Sequence, residues 1–224
     1  MDERVRYISE RSDGSLTSVK DLLPSSNKTR GYALDYILAR TLMRPRDTIA
    51  YFNECLSVHS GQGYLTWDEI TGCERSYSEK RLLALRDEWK PTYPDIQKVF
   101  ELFRKATLPI SKERFTEYLD EAMLLLTDRN FAGVRWMTVL SEAMWASGGE
   151  QSWADLYQPL VEMLYEIGFV GFAGISDRGV TYFYDHPALA DNPSTLEKVQ
   201  SFFVHPAYHM ALGIKQSFEL TAST

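Results

Sequence analysis

The 224-residue sequence has little cysteine and no long apolar run, and each of these absences excludes a class of protein. Cys55 and Cys73 are its only cysteines, too few for a disulfide-stapled fold or a four-thiolate zinc site and typical of a reducing compartment. No stretch approaches the roughly 18 consecutive apolar residues that a membrane-spanning helix needs. The first residues also lack the basic-then-apolar pattern of a signal peptide. We therefore expect a cytoplasmic protein with no membrane partner.

The sequence has no excess of positive charge. It contains 24 Lys+Arg against 31 Asp+Glu, a net charge of −7, which argues against a general nucleic-acid binder. Residues 151–224 are the most acidic part, with 8 acidic and 3 basic side chains, whereas residues 1–50 hold 7 and 9. Nucleic acid as a partner would therefore have to use the early part of the chain.

Recognisable catalytic motifs are also missing. The sequence has no Gly-x-x-x-x-Gly-Lys-Ser/Thr loop to hold phosphates and no Gly-x-Ser-x-Gly nucleophile turn. His205 and His209 have a spacing that can bind zinc, but no third ligand accompanies them, which favours structural or capping roles. We expect no enzymatic activity, no metal and no cofactor of the chain's own.

Helical periodicity dominates the sequence up to about Lys105. Pro45 is placed to open one helix, because its missing N–H is not needed in a first turn. Thr66 and Glu69 have the spacing of a capping box, which predicts another helix start. We therefore predict a helical bundle over residues 1–105, including a short helix over residues 2–10.

The remainder, residues 106–224, is predicted to be a winged-helix-like α+β domain. Three helices are expected at Lys112–Leu126, capped by Ser111, and at Val134–Trp145 and Trp153–Ile167, the last bent or restarted by Pro159. Phe169–Phe172 and Val180–Tyr184 are rich in β-branched and aromatic residues and predict an antiparallel hairpin, turned at Ser176–Gly179. Phe202–Val204 is a candidate third strand, and Pro206–Leu212 a last short helix. The fold class is thus mainly α, with a small antiparallel hairpin sheet.

Two arginines flank the proline that is predicted to open a helix. Because a helix N-terminus attracts anions and a guanidinium matches phosphate geometry, Arg44 and Arg46 are candidate phosphate-binding residues. The alternative is that they pair on the surface with acidic neighbours, which the sequence offers at Asp35, Asp47 and Glu54.

The order of several short segments resembles the region after the catalytic core of bacterial P-loop ATPases related to the AAA-type and STAND-type enzymes. The segments are Leu42–Asn53, Ser76–Ser78, Glu88–Trp89, Tyr93–Pro94, Leu164–Phe169 and Val204–Pro206, within residues 30–214. The resemblance implies a C-terminal helical lid plus a winged helix, without the P-loop core. It also implies that Arg44 or Arg46 occupies the sensor-2 position and reaches a γ-phosphate, so that ATP would be bound only with a separate core.

The predicted winged helix is better suited to protein than to DNA. The helix before the hairpin carries Asp155, Glu162 and Glu166 and no Lys or Arg, and Arg178 is the only basic residue of the predicted wing. Those carboxylates would repel phosphates. Arg178 is therefore the candidate contact to a partner, although the hairpin could equally serve only to complete the core.

We interpret the chain as a non-catalytic regulatory and interaction region. Its partner would be a protein, either an ATPase core or a second copy of the chain. Two alternatives remain open: a DNA-binding regulator that uses the basic N-terminal helices, and a purely structural assembly module.

Overall fold

A computed structural model describes residues 18–59, 63–146, 151–175 and 179–216. The protein is mainly helical with a small antiparallel sheet, as the sequence predicts. It divides into two compact units, Met1–Ser78 and Glu79–Thr224. The predicted helix over residues 2–10 and most of the predicted turn at Ser176–Gly179 lie outside the described residues.

The first unit is built from short helices whose ends are fixed by local chemistry. They are α1 (Ala33–Leu38), α2 (Pro45–Ser57), α3 (Trp67–Gly72) and the start of α4 (Glu74–Trp89). Pro45 occupies the first turn of α2, as predicted. The predicted capping box is also confirmed: Glu69 N–H donates to Thr66 Oγ1 at 3.3 Å, and Thr66 N–H donates to Glu69 Oε2 at 2.8 Å.

Polar atoms are built into the core of the first unit. Tyr51 is fully buried, and its hydroxyl donates to the carbonyl of Ile70 at 3.0 Å. The thiols of Cys55 and Cys73 are buried with their sulfurs 3.1 Å apart. Cys73 and burial together raise the pKa of the Cys55 thiol. Each buried polar group named here therefore has a partner, as a stable core requires.

The second unit contains the rest of α4 and the helices that follow it. They are α5 (Gln97–Leu102), α6 (Lys112–Leu124), α7 (Val134–Trp145), α8 (Trp153–Glu166), α9 (Pro193–Leu196) and α10 (His209–Leu212). Ser111 caps α6 by accepting the N–H of Arg114, as predicted. Pro159 neither ends nor restarts α8, which runs through it.

The division between the units falls at Ser78, whereas the sequence analysis set a boundary at Lys105. Aromatic packing accounts for the difference. Phe100 and Phe103, which precede Lys105, are fully buried and lie 4.6 and 5.3 Å from the ring of Phe169. Helix α5 therefore belongs to the core of the second unit.

Strand pairing in the second unit differs from the predicted hairpin. Strand β1 (Thr107–Leu108) pairs in parallel with β4 (Lys215–Gln216), and β2 (Val170–Ala173) pairs antiparallel with β3 (Ser201–Val204). Ile110 also pairs with Phe202 of β3, through a single antiparallel bridge. The predicted strand Phe202–Val204 is thus confirmed, and its partner is β2.

The predicted strand Val180–Tyr184 is wrong. Only Thr181 pairs, through one antiparallel bridge to Phe172, and the chain then turns away. The turn forms because Asp185 Oδ2 accepts the N–H of Tyr182 at 3.1 Å, while the N–H of Asp185 donates to the carbonyl of Tyr182 at 2.9 Å. Local side-chain bonding of an aspartate here prevails over strand propensity.

Packed aromatic rings fill the space between this sheet and the helices. Phe115 of α6 stacks on Phe202 of β3 with ring centres 3.9 Å apart, and Trp153 and Phe172 each lie 5.7 Å from Phe202.

Among the described residues, no helix is both long and apolar enough to cross a bilayer.

Candidate functional site

Arg44 and Arg46 lie at the start of α2, where the sequence analysis placed them. The Arg44 carbonyl accepts the first helical bonds, from the N–H groups of Asp47 and Thr48. The Arg46 side chain is exposed, and its Nε lies 3.6 Å from Oδ1 of the buried Asp47. The position of Arg46 is compatible with either predicted partner, a phosphate or an acidic neighbour. The contact to Asp47 leaves the Arg46 guanidinium exposed to solvent.

The other predicted contact, Arg178, lies outside the described residues. The two histidines considered as zinc ligands, His205 and His209, have the structural roles that the sequence favours. His205 is fully buried and caps the turn Pro206–Tyr208 by accepting the N–H of Ala207 at 3.1 Å. His209 Nε2 lies 2.7 Å from the Val204 carbonyl. No group of three potential metal ligands occurs in the described part of the chain.

A cavity of about 330 Å³ lies between α8 and the segment that follows Thr181. Helix α8 contributes Glu162, Tyr165 and Glu166, which share a face because they are three and four residues apart. The facing segment contributes the rest of the lining: Phe183, Pro187, Ala188, Ala190 and Asp191. We call this cavity the acidic pocket.

Hydrogen bonds from α8 hold the facing segment in place. The Tyr165 hydroxyl donates to the carbonyl of His186 at 2.9 Å. Gln158 Nε2 lies 3.2 Å from the carbonyl of Asp191 and 3.0 Å from Glu162 Oε2. The pocket therefore has one wall on a regular helix and a second wall that this helix anchors.

The acidic pocket combines an apolar wall with three carboxylate side chains. Tyr165 and Phe183 meet edge to face with ring centres 6.0 Å apart. Glu162 is half-buried, and burial, followed by the charges of Asp191 and Glu166, raises the pKa of its carboxyl group. No Lys or Arg is among the residues that line the pocket in the described part of the chain. Such a surface can receive a cation that has an apolar stem.

Only part of this pocket is predictable from the sequence. Glu162 and Glu166 are evident there as acidic residues of one predicted helix, but no motif assigns them to a site. Their spacing is a usable signal, because like charges four residues apart destabilise a helix and call for an explanation. Asp191 could not be placed, since its approach to α8 depends on the long connection after β2, whose path local sequence patterns do not specify.

Comparison with known families gives one match. Residues 1–86 match the family described as the FunZ-associated C-terminal helical domain. No curated protein matches the chain, and no solved structure matches it either.

The family match agrees with the predicted character of the early region. It supports a helical domain of a C-terminal type over residues 1–86, a narrower stretch than the resemblance to P-loop ATPases covers. The relationship to an ATPase, the sensor-2 role and the winged-helix assignment stay predictions.

Proposed function

We propose that the protein is a non-catalytic interaction region whose acidic pocket holds a basic side chain of a protein partner. The observation that carries this proposal is the pocket itself: three carboxylates beside an aromatic wall, with no Lys or Arg among the described residues that line it. The acidic balance of residues 151–224 favours the same kind of partner. A cytoplasmic location fits the free thiols of Cys55 and Cys73.

A lysine or arginine side chain is the ligand that fits both surfaces of the pocket. Its methylene stem would lie against Phe183 and Pro187 of the facing segment. Its charged end would approach Glu162, Glu166 and Asp191. Arginine suits the site better than lysine, because its planar group stacks on rings and binds carboxylates in a bidentate manner. Binding would also relieve the repulsion that the three carboxylates exert on one another.

The test is a titration with a fluorescein-labelled hexa-arginine peptide, followed by fluorescence anisotropy. We expect the double variant Glu162→Gln with Glu166→Gln to bind about tenfold more weakly, since each exposed charge pair contributes roughly 0.5–1 kcal/mol. Glu121→Gln, an exposed change on α6, is the matched control and should bind like the wild type. A hexa-glutamine peptide should not bind.

Three outcomes would overturn the proposal. One is equal binding by the wild type and the double variant, and another is equal loss in the Glu121→Gln control. The third is preference for a labelled DNA duplex over the peptide, with loss of duplex binding on changing Arg44 and Arg46 to Ala. That last result would favour the DNA-binding alternative instead.

The resemblance to P-loop ATPases extends this proposal to the first unit. Arg44 or Arg46 would contact a nucleotide held by a separate ATPase core, at the positively polarised start of α2. The exposure of Arg46 supports a role that depends on contact from outside. The isolated chain would bind no nucleotide tightly and hydrolyse none.

Isothermal titration with ATP and Mg²⁺ tests this extension. We expect no tight binding and no phosphate release by the isolated chain, and unchanged peptide binding when Arg44 and Arg46 become Ala. Micromolar ATP binding with hydrolysis would contradict the non-catalytic assignment without affecting the acidic pocket.

A further inference from the structure

Helix α7 presents large apolar side chains to solvent. Val134, Val139 and Trp145 are 46%, 59% and 68% exposed, although the opposite side of the helix buries Trp136, Met137 and Met144 in the core. A surface helix of a globular protein ordinarily places polar residues on its outer face. An apolar outer face rimmed by charge is instead typical of an interaction surface.

Two opposite charges mark the ends of this face. Arg135 and Glu142 are both exposed and lie seven residues, or about two turns, apart, so they project from the same side of α7. Neither side chain has a hydrogen bond or an ion pair with any other residue in the described part of the chain. Val139 lies between them, four residues after Arg135 and three before Glu142.

This order of side chains is self-complementary. In an antiparallel pair of identical helices related by a two-fold axis, a residue before the axis faces a residue the same distance after it. With the axis beside Val139, between residues 138 and 139, Arg135 and Glu142 lie equally far from it, so Arg135 faces Glu142 of the other copy, and the two Val139 side chains meet. Val134, between four and five residues before the axis, falls near Trp145 of the other copy, which lies between six and seven residues after it and on the same side of the helix.

We infer that the outer face of α7 binds α7 of a second copy of this chain, antiparallel and about a two-fold axis beside Val139. The two-fold produces two Arg135–Glu142 ion pairs and covers the three exposed apolar side chains. Val139 lines a groove together with Pro91, Tyr93 and Trp136. A second helix can therefore approach this side of α7 closely. A parallel pairing would place like charges together, so the charges select the antiparallel one.

The expected dimer is weak. One pair of helices covers less surface than the roughly 1,000 Å² that a stable interface needs, and the ion pairs contribute mainly orientation. We expect Trp145 to contribute most to the stability of the dimer, since tryptophan is enriched among the residues that supply most of the binding energy of interfaces. The association should therefore depend on concentration in the micromolar range and weaken when Trp145 becomes Ala.

Sedimentation velocity of the full chain tests this inference with charge exchange. The variants Arg135→Glu and Glu142→Arg each juxtapose like charges and should remain monomeric where the wild type dimerises. An equimolar mixture of the two variants restores both opposite pairings, so it should form a heterodimer. The variant that carries both changes should dimerise with itself, as the wild type does.

The controls separate this contact from misfolding and from other surfaces. Glu121→Arg alters an exposed charge on α6 and should leave the dimer intact. None of the exchanged residues lines the acidic pocket, so hexa-arginine binding should be unchanged in every variant. A wild type that stays monomeric throughout, or a mixture of the two single variants that stays monomeric, would overturn the inference.

Discussion

The cores of the two units are held together by different interactions. In the first unit, buried side chains meet through polar atoms: the Tyr51 hydroxyl on a carbonyl, one thiol on another, and Glu74 accepting from both Tyr36 and Arg40. In the second unit, aromatic rings packed around Phe202, stacked, tilted and edge-on, form the centre.

This difference bears on how each unit responds to mutation. A core of packed rings is stabilised by buried area and close packing, so it is most sensitive to loss of volume. A core with embedded hydrogen bonds is most sensitive to the loss of one partner, which leaves the other buried without one.

Removing the central ring of the second unit should have the largest effect. We expect Phe202→Ala to lower the free energy of unfolding by about 4 kcal/mol, because it opens a cavity between Phe115, Trp153 and Phe172. Urea unfolding and hydrogen exchange over the peptides of residues 79–216 would measure it. Leu124→Ala, an exposed change on α6, should cost less than about 0.5 kcal/mol. Equal effects of the two changes would contradict the packing account.

Acid should destabilise the second unit through His205. Burial, with smaller contributions from the charges of His209 and Arg81, lowers the pKa of His205 to about 3, below its ordinary value of 6.5. The unfolded chain then binds the proton more readily, so stability is full above pH 6.5 and falls as the pH decreases towards 3. The loss between pH 6.5 and 4 should be about 3 kcal/mol.

The variant His205→Asn separates this contribution from other titrations. Its amide oxygen can still accept the N–H of Ala207, but it does not titrate. We expect a flatter dependence of unfolding free energy on pH than in the wild type. His186→Asn, at an exposed position, should keep the wild-type slope. An unchanged slope in His205→Asn would refute the assignment.

The first unit should be sensitive to one carboxylate. Glu74 Oε1 accepts from Arg40 Nε at 2.7 Å, and Glu74 Oε2 accepts from the Tyr36 hydroxyl at 2.5 Å. Burial and the Glu74 hydrogen bond raise the pKa of Tyr36 to about 12. We expect Glu74→Gln to cost about 2 kcal/mol, measured by thermal unfolding. Asp87→Asn, which breaks only the exposed pair with Arg86, should have almost no effect.

Capping boxes provide a matched comparison between the units. Thr66 caps α3 in the first unit and Ser152 caps α8 in the second, each by the same pair of reciprocal bonds. We expect Thr66→Ala and Ser152→Ala to cost about 1 kcal/mol each, because local capping depends little on the surrounding core. Chemical unfolding of both variants would measure this, and a several-fold difference would show that the cores control the caps.

Helix boundaries were largely predictable from the sequence, whereas strand partners were not. Pro45, Thr66 and Ser111 fix helix starts through neighbours within a few residues, and the predicted bounds of α7 agree with the structure. The pairing of β2 with β3 depends on a long loop and on aromatic packing, which local patterns do not encode. Asp191 of the acidic pocket was missed for the same reason.

The exposed face of α7 shows a second limit of the sequence. Its hydrophobic pattern predicts a helix correctly, but the pattern does not say which apolar residues are covered. Trp136 and Trp145 have the same side chain, yet the first is buried and the second is exposed. Only the surrounding elements decide this.

The most direct test of the acidic pocket is to measure the pKa of Glu162. Carbon-13 NMR of its carboxyl group would give this pKa with and without the hexa-arginine peptide. The account predicts a raised pKa in the free protein, because of burial and the charges of Asp191 and Glu166. It predicts a decrease when the peptide binds, since a nearby cation favours the ionised form. A carboxyl pKa that is the same with saturating peptide as without it would contradict the account.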